Sequence, residues 1–363
     1  MKKKRLIISG GGTGGHIFPA LAIAKELQKR DPDIELLFVG AKGRMEMEKI
    51  PLAGYKIKGL WIDGFQRKFS FRNLLLPLKL FYSLLQSFCI ICFFKPDAVV
   101  GTGGFASGPL LWVASMLKYP TLIQEQNSYP GITNKLLSKK VLKICSAYSN
   151  LERYFPLNKV VMTGNPIRKD ILEGTISRPD SYEDFNLDIN KKTVLIIGGS
   201  LGAPPINKEV LNLLDWFVEK DIQLLWQTGK NYNKKIQSIV IDRQSPLLVA
   251  LPFISNMNAA YSVADVIVSR AGALAISELC VVGKPVILIP SPYVSEDHQT
   301  KNAKFLVEKN AALLLEQSQI HNLKNKVAEL LVIENSLKYS SNIKELARPD
   351  ATRKIVDEIF ELI

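Results

Sequence analysis

The sequence predicts an α/β protein of two doubly wound domains, and three observations carry that prediction. Short β-branched runs alternate with stretches of helical composition along the chain, the pattern of parallel strands joined by crossover helices. A strand running straight into glycines occurs near the N-terminus and again at residues 193–199 (TVLIIGG), so the chain opens in the same way twice. Its 363 residues also exceed the size at which one hydrophobic core keeps growing. The predicted domains are residues 1–164 and 165–345, with residues 346–363 a final amphipathic helix that packs back on the first.

Residues 5–9 read as the first strand, and GGGTGGH, Gly10 to His16, as the turn into a helix starting near Pro19. Glycines let a backbone approach a diphosphate closely, and a helix N-terminus favours negative charge. Gly10, Gly12 and Gly15 also satisfy the dinucleotide fingerprint G-x-G-x-x-G. However, the second strand, residues 34–39, runs into Gly40-Ala41-Lys42 where that fold would carry a ribose-binding acid, which argues against a dehydrogenase. His16 is a base or phosphate ligand on one reading and a helix-start hydrogen bond on the other. Asp31-Pro-Asp33 has the form of a metal-binding D-x-D. It falls between helix and strand, on the sheet edge opposite the ligands, and reads as a turn.

Residues 69–94 are the most apolar stretch, roughly long enough to span a bilayer but interrupted by Pro77, Lys79 and Gln86. They read as helices packed on the sheet, either fully buried or with part of the apolar surface facing lipid. Arg67, Lys68, Arg72 and Lys79 are the cations placed to meet an anionic leaflet. A second glycine loop, Gly101 to Gly108, follows the strand at residues 98–100, and Glu125-Gln126-Asn127 ends the strand at residues 121–124. Gly164-Asn165-Pro166 reads as the hinge, since proline stops a helix and glycine permits a bend.

In the second half the strand at residues 193–199 leads into Ser200, the strand at 222–227 into Thr228-Gly229-Lys230, and the strand at 247–253 into Ile254. Residues 265–269 form a strand that turns through Arg270-Ala271-Gly272 into a helix at 273–282. The first N–H groups of that helix make a phosphate seat, and Glu278 is set to accept from ribose hydroxyls. After the strand at 285–289, Gln299 and Asn302 share one helix face as neutral amides suited to sugar hydroxyls.

The formal charge of +13 suits an anionic partner. With no aromatic-plus-basic RNA-binding signature and no zinc-finger spacing, nucleic acid is the weakest candidate. Cys89, Cys92, Cys145 and Cys280 lie in apolar contexts that fit a reducing compartment, and Cys89 with Cys92 is expected to be a buried structural pair. The start MKKKRLIISG enters a strand at once and carries no signal-peptide pattern.

Taken in order, GGGTGGH, GTGGFASGP, EQN, GNPIR, GGSLGA, LPFI, RAGALAISE and HQTKNA resemble the MurG family of glycosyltransferases over nearly the whole chain. The resemblance implies the GT-B fold, two Rossmann-like doubly wound domains facing a central cleft. It implies transfer of N-acetylglucosamine, with inversion, from UDP-GlcNAc to the C4 hydroxyl of undecaprenyl-diphosphate-linked muramoyl-pentapeptide in bacterial peptidoglycan synthesis. The lipid diphosphate would lie on the N-terminal domain, near Gly11, Gly12, Gly103, Gly104 and Phe105, and the nucleotide sugar on the C-terminal one. Donor contacts would fall on Arg168, Ser200, Ile254 (whose backbone would read the uracil edge), Ala273, Leu274, Glu278, Gln299 and Asn302, with Thr13, Gly14, Gly15 and Asn127 approaching from the N-terminal half. His16 is the leading candidate for the base and Glu125 the alternative. Neither metal nor other cofactor is implied, and the protein would work peripherally at the cytoplasmic face of the cell membrane, on an anionic surface. The family often has Thr where Ala275 stands and Gln-Gln where His298-Gln299 stands, which leaves the part of His298 open. Two rivals remain: a UDP-N-acetylglucosamine epimerase on the same fold, and a non-catalytic nucleotide-sugar sensor docked at the membrane.

Overall fold

The computed structural model describes residues 3–64, 74–149, 151, 153–173 and 178–363; Arg67, Lys68 and Arg72, expected to meet a membrane, lie outside them. The chain divides into two compact units, residues 1–167 with 348–363, and residues 168–347.

The first unit holds seven parallel strands: β1 (Arg5–Gly10), β2 (Glu35–Ala41), β3 (Lys56–Leu60), β4 (Ala98–Gly103), β5 (Thr121–Glu125), β6 (Lys143–Ser146) and β7 (Val160–Met162), in the order β3-β2-β1-β4-β5-β6-β7. Strand side chains alternate between faces, and here both faces are covered. Ile7, Val99 and Ile123 enter one core, while Leu6, Ile8, Val100 and Leu122 enter the other. The order reverses between β1 and β4, so the two glycine loops that follow these strands flank the switch point, where open α/β sheets bind ligands. The second unit repeats the scheme with β8 (Thr193–Ile197), β9 (Gln223–Gln227), β10 (Leu248–Leu251), β11 (Val266–Ser269), β12 (Val286–Leu288) and β13 (Leu313–Leu314), in the order β10-β9-β8-β11-β12-β13. Its switch point lies between β8 and β11.

The first helix spans Gly14–Arg30 rather than starting near Pro19. Early helical N–H groups need no helical partner, so Gly14, Gly15 and His16 wind into the opening turn, while Pro19 stands inside the helix and withholds one N–H from its ladder. Asp31-Pro-Asp33 is a turn between that helix and β2. The last helix, Ala351–Phe360, buries Ile355, Val356 and Ile359 in the core on the first helix, and Arg30 donates to Asp357 Oδ1 at 2.6 Å. Gly164 has φ +93°, and a Cβ there would lie 2.6 Å from that of Arg348, so only glycine lets the returning chain pass.

The apolar stretch becomes one helix, Leu76–Phe94, whose polarity is inverted: Ser83 and Ser87 are buried with Ile90 and Ile91, while Leu78, Phe81, Leu85, Phe88 and Phe93 are exposed. Each buried serine donates to its own helix, Ser83 to the Leu80 carbonyl and Ser87 to that of Ser83, so neither is left unsatisfied. Cys89 and Cys92 are exposed, which corrects the expectation of a buried pair: within the apolar run they share the helix's outward face with Phe88 and Phe93, while Ile90 and Ile91 turn inward.

Candidate active site

In the first unit the β1 and β4 loops are packed directly on each other. Gly11 N–H donates to the Gly103 carbonyl at 3.3 Å, and a Cβ on Gly104, at φ +85°, would stand 2.3 Å from the Gly11 oxygen. Gly12 N–H is also engaged, donating at 2.9 Å to Glu46 Oε2. Closeness of approach, rather than free N–H groups, is therefore what Gly11 and Gly12 can give an anion. The opening turn of the helix Gly14–Arg30 is different: Thr13 makes no side-chain cap, so the N–H groups of Gly14 and Gly15 are the ones left pointing outward. Phe105 is half-buried over the loop, where a Cβ on Gly12 would meet its ring at 3.2 Å, and Arg44 lies 5.6 Å from the ring centre.

His16 sits in the first turn of that helix with Nδ1 2.9 Å from the Gly11 carbonyl and 3.4 Å from Thr13 Oγ1. A carbonyl only accepts, so Nδ1 carries the proton and Nε2 keeps its lone pair. That nitrogen lies beside Gly103, where a Cβ would be 3.0 Å away. Burial holds the imidazole below its ordinary pKa, opposed by the Gly11 hydrogen bond and by the charges of Glu125 and Glu46, so the ring favours its neutral form. Thr102 donates to the His16 carbonyl at 2.8 Å and fixes its backbone.

Glu125 does not have the geometry of a free base. It is 1% exposed; Oε1 accepts from Asn127 N–H at 3.0 Å and Asn127 Nδ2 at 3.2 Å, and Oε2 from Gly131 N–H at 3.1 Å and Asn134 Nδ2 at 2.8 Å. With four donors on two oxygens it shapes the loop after β5 and holds Asn127, an arrangement that weighs toward His16 rather than Glu125 as the base.

In the second unit the helix Ala273–Val282 starts after β11 at Gly272, which has no side chain to cap it, and Ala273 and Leu274 form its first turn. Arg270, beside them in sequence, turns away: its guanidinium donates to the Ile289 and Pro290 carbonyls, each at 3.0 Å, and to Gln317 at 2.8 Å. Glu278 meets Arg168. Nε donates to Oε1 at 2.9 Å and Nη2 to Oε2 at 3.4 Å, and Tyr261 OH reaches Oε2 at 3.4 Å. Burial raises the Glu278 pKa, and the Arg168 charge pulls it back. Tyr261 is held above its ordinary value by burial and by the carboxylate.

Ser200 is exposed in the loop after β8, and its carbonyl accepts from Lys230 N–H at 3.2 Å. Ile254 is buried and its N–H donates to Gln227 Oε1 at 2.9 Å. Gln299 Oε1 accepts from Ser291 N–H at 2.8 Å, which fixes the loop after β12 and turns its NH₂ into the available group; Asn302, on the same face, is fully buried. Among the described residues no group of three or more His, Cys, Asp or Glu side chains converges to hold a metal ion.

Two residues, one in each unit, escape a reading of the sequence. Glu46 lies in RMEMEK, which looks like a solvated helix start, yet it is 0% exposed beneath the first glycine loop. Tyr261 lies in an ordinary amphipathic segment and carries no motif; the one available signal was position, Glu46 shortly after β2, the neighbour of β1, and Tyr261 shortly before β11.

Residues 6–146 match the model of the Glycosyltransferase family 28 N-terminal domain, and residues 193–355 that of the Glycosyltransferase family 28 C-terminal domain. A UDP-N-acetylglucosamine–N-acetylmuramyl-(pentapeptide) pyrophosphoryl-undecaprenol N-acetylglucosamine transferase of Flavobacterium psychrophilum is 52% identical over 365 residues, covering 100% of this chain and 99% of the relative. The protein of the same name from Christiangramia forsetii is 51% identical, covering 99% and 98%. Among solved structures, MurG of Acinetobacter baumannii aligns with a TM-score of 0.79 at 31% identity over 99% of each chain.

Proposed function

This chain belongs to glycosyltransferase family 28, and from that premise we infer that it moves N-acetylglucosamine from UDP-N-acetylglucosamine to the C4 hydroxyl of undecaprenyl-diphosphate-linked muramoyl-pentapeptide, a step of peptidoglycan synthesis. The observation that carries this is the end-to-end match at about half identity to transferases of that name.

The C4 oxygen attacks the anomeric carbon, the bond from that carbon to the UDP oxygen breaks, and the configuration inverts. His16 Nε2, neutral and with its tautomer fixed by the Gly11 carbonyl, takes the hydroxyl proton. The departing diphosphate gains negative charge, which the positive end of the helix Ala273–Val282, at Ala273 and Leu274, stabilises without a metal. Glu278 accepts from the ribose, the Ile254 carbonyl from the uracil N3–H, and Gln299 with Asn302 reads the sugar hydroxyls. Arg168 steadies Glu278 before the donor arrives, and Ser200 closes the phosphate end. In the first unit Gly14 and Gly15 offer N–H groups to a phosphate.

The acceptor's polyprenyl chain stays in the bilayer, so the enzyme works peripherally at the cytoplasmic face of the membrane. Supporting this is the outward apolar face of the helix Leu76–Phe94, with Phe81 61% and Phe93 82% exposed. Lys79 is not one of the cations that would meet the leaflet: it pairs with Asp63, its side chain is 12% exposed, and it lies over the Trp61 ring. Exposed Lys118, Lys139 and Lys140, near the apolar Trp112, Met116 and Leu136, take that part.

The test is UDP release by the purified protein with and without the lipid-linked acceptor. Release that requires the acceptor supports the transferase. Conversion of the nucleotide sugar without acceptor would establish the epimerase, and binding without turnover in either mixture the sensor.

A further inference from the structure

The peptide bond between Gly11 and Gly12 is held at both ends. Its carbonyl accepts from His16 Nδ1 at 2.9 Å, and its N–H donates to Glu46 Oε2 at 2.9 Å. Glu46 opens the helix Glu46–Leu52 five residues after the end of β2, is 0% exposed, and fixes its other oxygen on the Ala41 N–H at 2.9 Å. Two glycines make room for it. A Cβ on Gly11 would fall 2.1 Å from Oε1, and one on Gly40 would fall 2.5 Å from Cγ.

We propose that Glu46 is a positioning residue for His16, acting through the intervening peptide as a carboxylate–peptide–imidazole relay. A carboxylate on one end of a peptide unit draws its N–H and makes the carbonyl at the other end a stronger acceptor. The stronger acceptor keeps the proton on Nδ1, holds the ring in place and raises the basicity of Nε2. A carboxylate bonded directly to a catalytic imidazole does the same work; here a glycine loop is interposed, so one buried charge orders the loop and tunes the base together. The charged groups that face His16 are Glu46 from its own helix and Glu125 from the end of β5. Of these, only Glu46 has the peptide link.

The inference rests on His16 being the base, and the experiment separates the two. The chain has three histidines, His16, His298 and His321, so ¹⁵N-histidine NMR of the full-length protein reads each ring directly. In the wild-type protein His16 should show a protonated Nδ1 and a bare Nε2; the opposite tautomer overturns the relay without need of any variant. In Glu46→Gln an amide faces two N–H donors with one oxygen and no charge, so the His16 pKa should fall by about one unit and the tautomer should become mixed. In Glu125→Gln the pKa should fall but the tautomer should hold. An unchanged His16 in Glu46→Gln, or the same tautomer change in both variants, overturns the relay. The acid limb of kcat for UDP release should follow the NMR pKa to lower pH in Glu46→Gln. If the NMR pKa moves and the limb does not, the relay stands and His16 is not the base.

Discussion

Removing the Glu278 carboxylate tests the donor half of the mechanism most directly. In the free protein it holds Arg168 through two hydrogen bonds and receives one from Tyr261. Its side chain is 14% exposed and that of Arg168 45%. After Glu278→Ala water can reach the guanidinium, and a desolvated negative charge disappears, so the loss of stability should stay near 1 kcal/mol, or about 2–4 °C in the melting temperature. The donor loses more. Charge-assisted hydrogen bonds to ribose hydroxyls are worth about 1.5–3 kcal/mol, which corresponds to about 10- to 150-fold in the dissociation constant for UDP. Calorimetry with UDP and with 2′,3′-dideoxy-UDP distinguishes a ribose contact from a general disturbance: the wild-type protein should prefer UDP, and the variant should bind both alike. Unchanged UDP affinity, or a loss of equal size for both nucleotides, would refute the ribose assignment.

His16 sets the acid limb of activity: its pKa is lowered by burial, so kcat should fall only below the ordinary histidine value of about 6.5, and His16→Ala should lower kcat by about 100-fold or more with UDP binding intact by calorimetry. The same lowering makes the unfolded state bind the extra proton, so the His16 contribution to stability should be complete above pH ~6.5 and lost as pH falls from there through the folded-state pKa; denaturant titrations of wild type and His16→Ala, compared across that window, check the sign. Turnover should survive EDTA if, as proposed, the first turn at Ala273 and Leu274 serves the leaving diphosphate; activity abolished by chelation and restored by magnesium or manganese would overturn this. Phe81→Asp with Phe88→Asp should weaken binding to anionic vesicles without lowering the melting temperature, because both rings are exposed; binding retained in full would move the membrane face elsewhere.

Both doubly wound sheets were legible in the sequence because buried parallel strands are dense in β-branched residues. Ile7 and Ile8, or Val266 to Val268, read the same way in isolation as in the sheet. Edge strands were less visible: Lys56–Leu60 alternates charge with apolar residues and could as well be a loop. The Leu76–Phe94 helix shows what composition cannot give, for its buried face mixes Ser83 and Ser87 with Ile90 and Ile91 while its exposed face carries leucines and phenylalanines, so hydropathy does not tell which face is buried. At the site, residues defined by backbone position, such as Gly104, Ala273 and Leu274, follow from strand–turn–helix order alone. What each polar side chain does was not readable, since that depends on partners distant in sequence: Glu278 finds Arg168 across 110 residues, and Gln227 finds the Ile254 N–H across 27.

The glycine-rich loops are informative for a reason other than the one their pattern suggests. In the first unit a Cβ on Gly104 would stand 2.3 Å from the Gly11 oxygen; in the second, one on Gly202 would stand 2.3 Å from the Thr228 oxygen and one on Gly229 2.1 Å from the Gly202 nitrogen. In each unit, then, glycines let two neighbouring βα loops touch backbone to backbone, those after β1 and β4 at the switch point of the first and those after β8 and β9 beside the switch point of the second, whatever is bound there. This explains why such a motif by itself fits both a dinucleotide fold and a sugar transferase. It also accounts for the acid missing at the end of β2: the carboxylate comes from Glu46, and it points under the loop at Gly12 instead of out toward a ribose. A negative charge beneath the first loop disfavours a phosphate held tightly on Gly11 and Gly12 and favours one displaced to Gly14 and Gly15, next to the neutral imidazole. Gly104→Ala tests the packing claim apart from any ligand. At φ +85° and with the Gly11 oxygen in its way, the new methyl should cost about 1–3 kcal/mol of stability in the apo-protein, read by denaturant titration. An unchanged midpoint together with lost activity would mean that Gly104 is there for the acceptor and not for the loop.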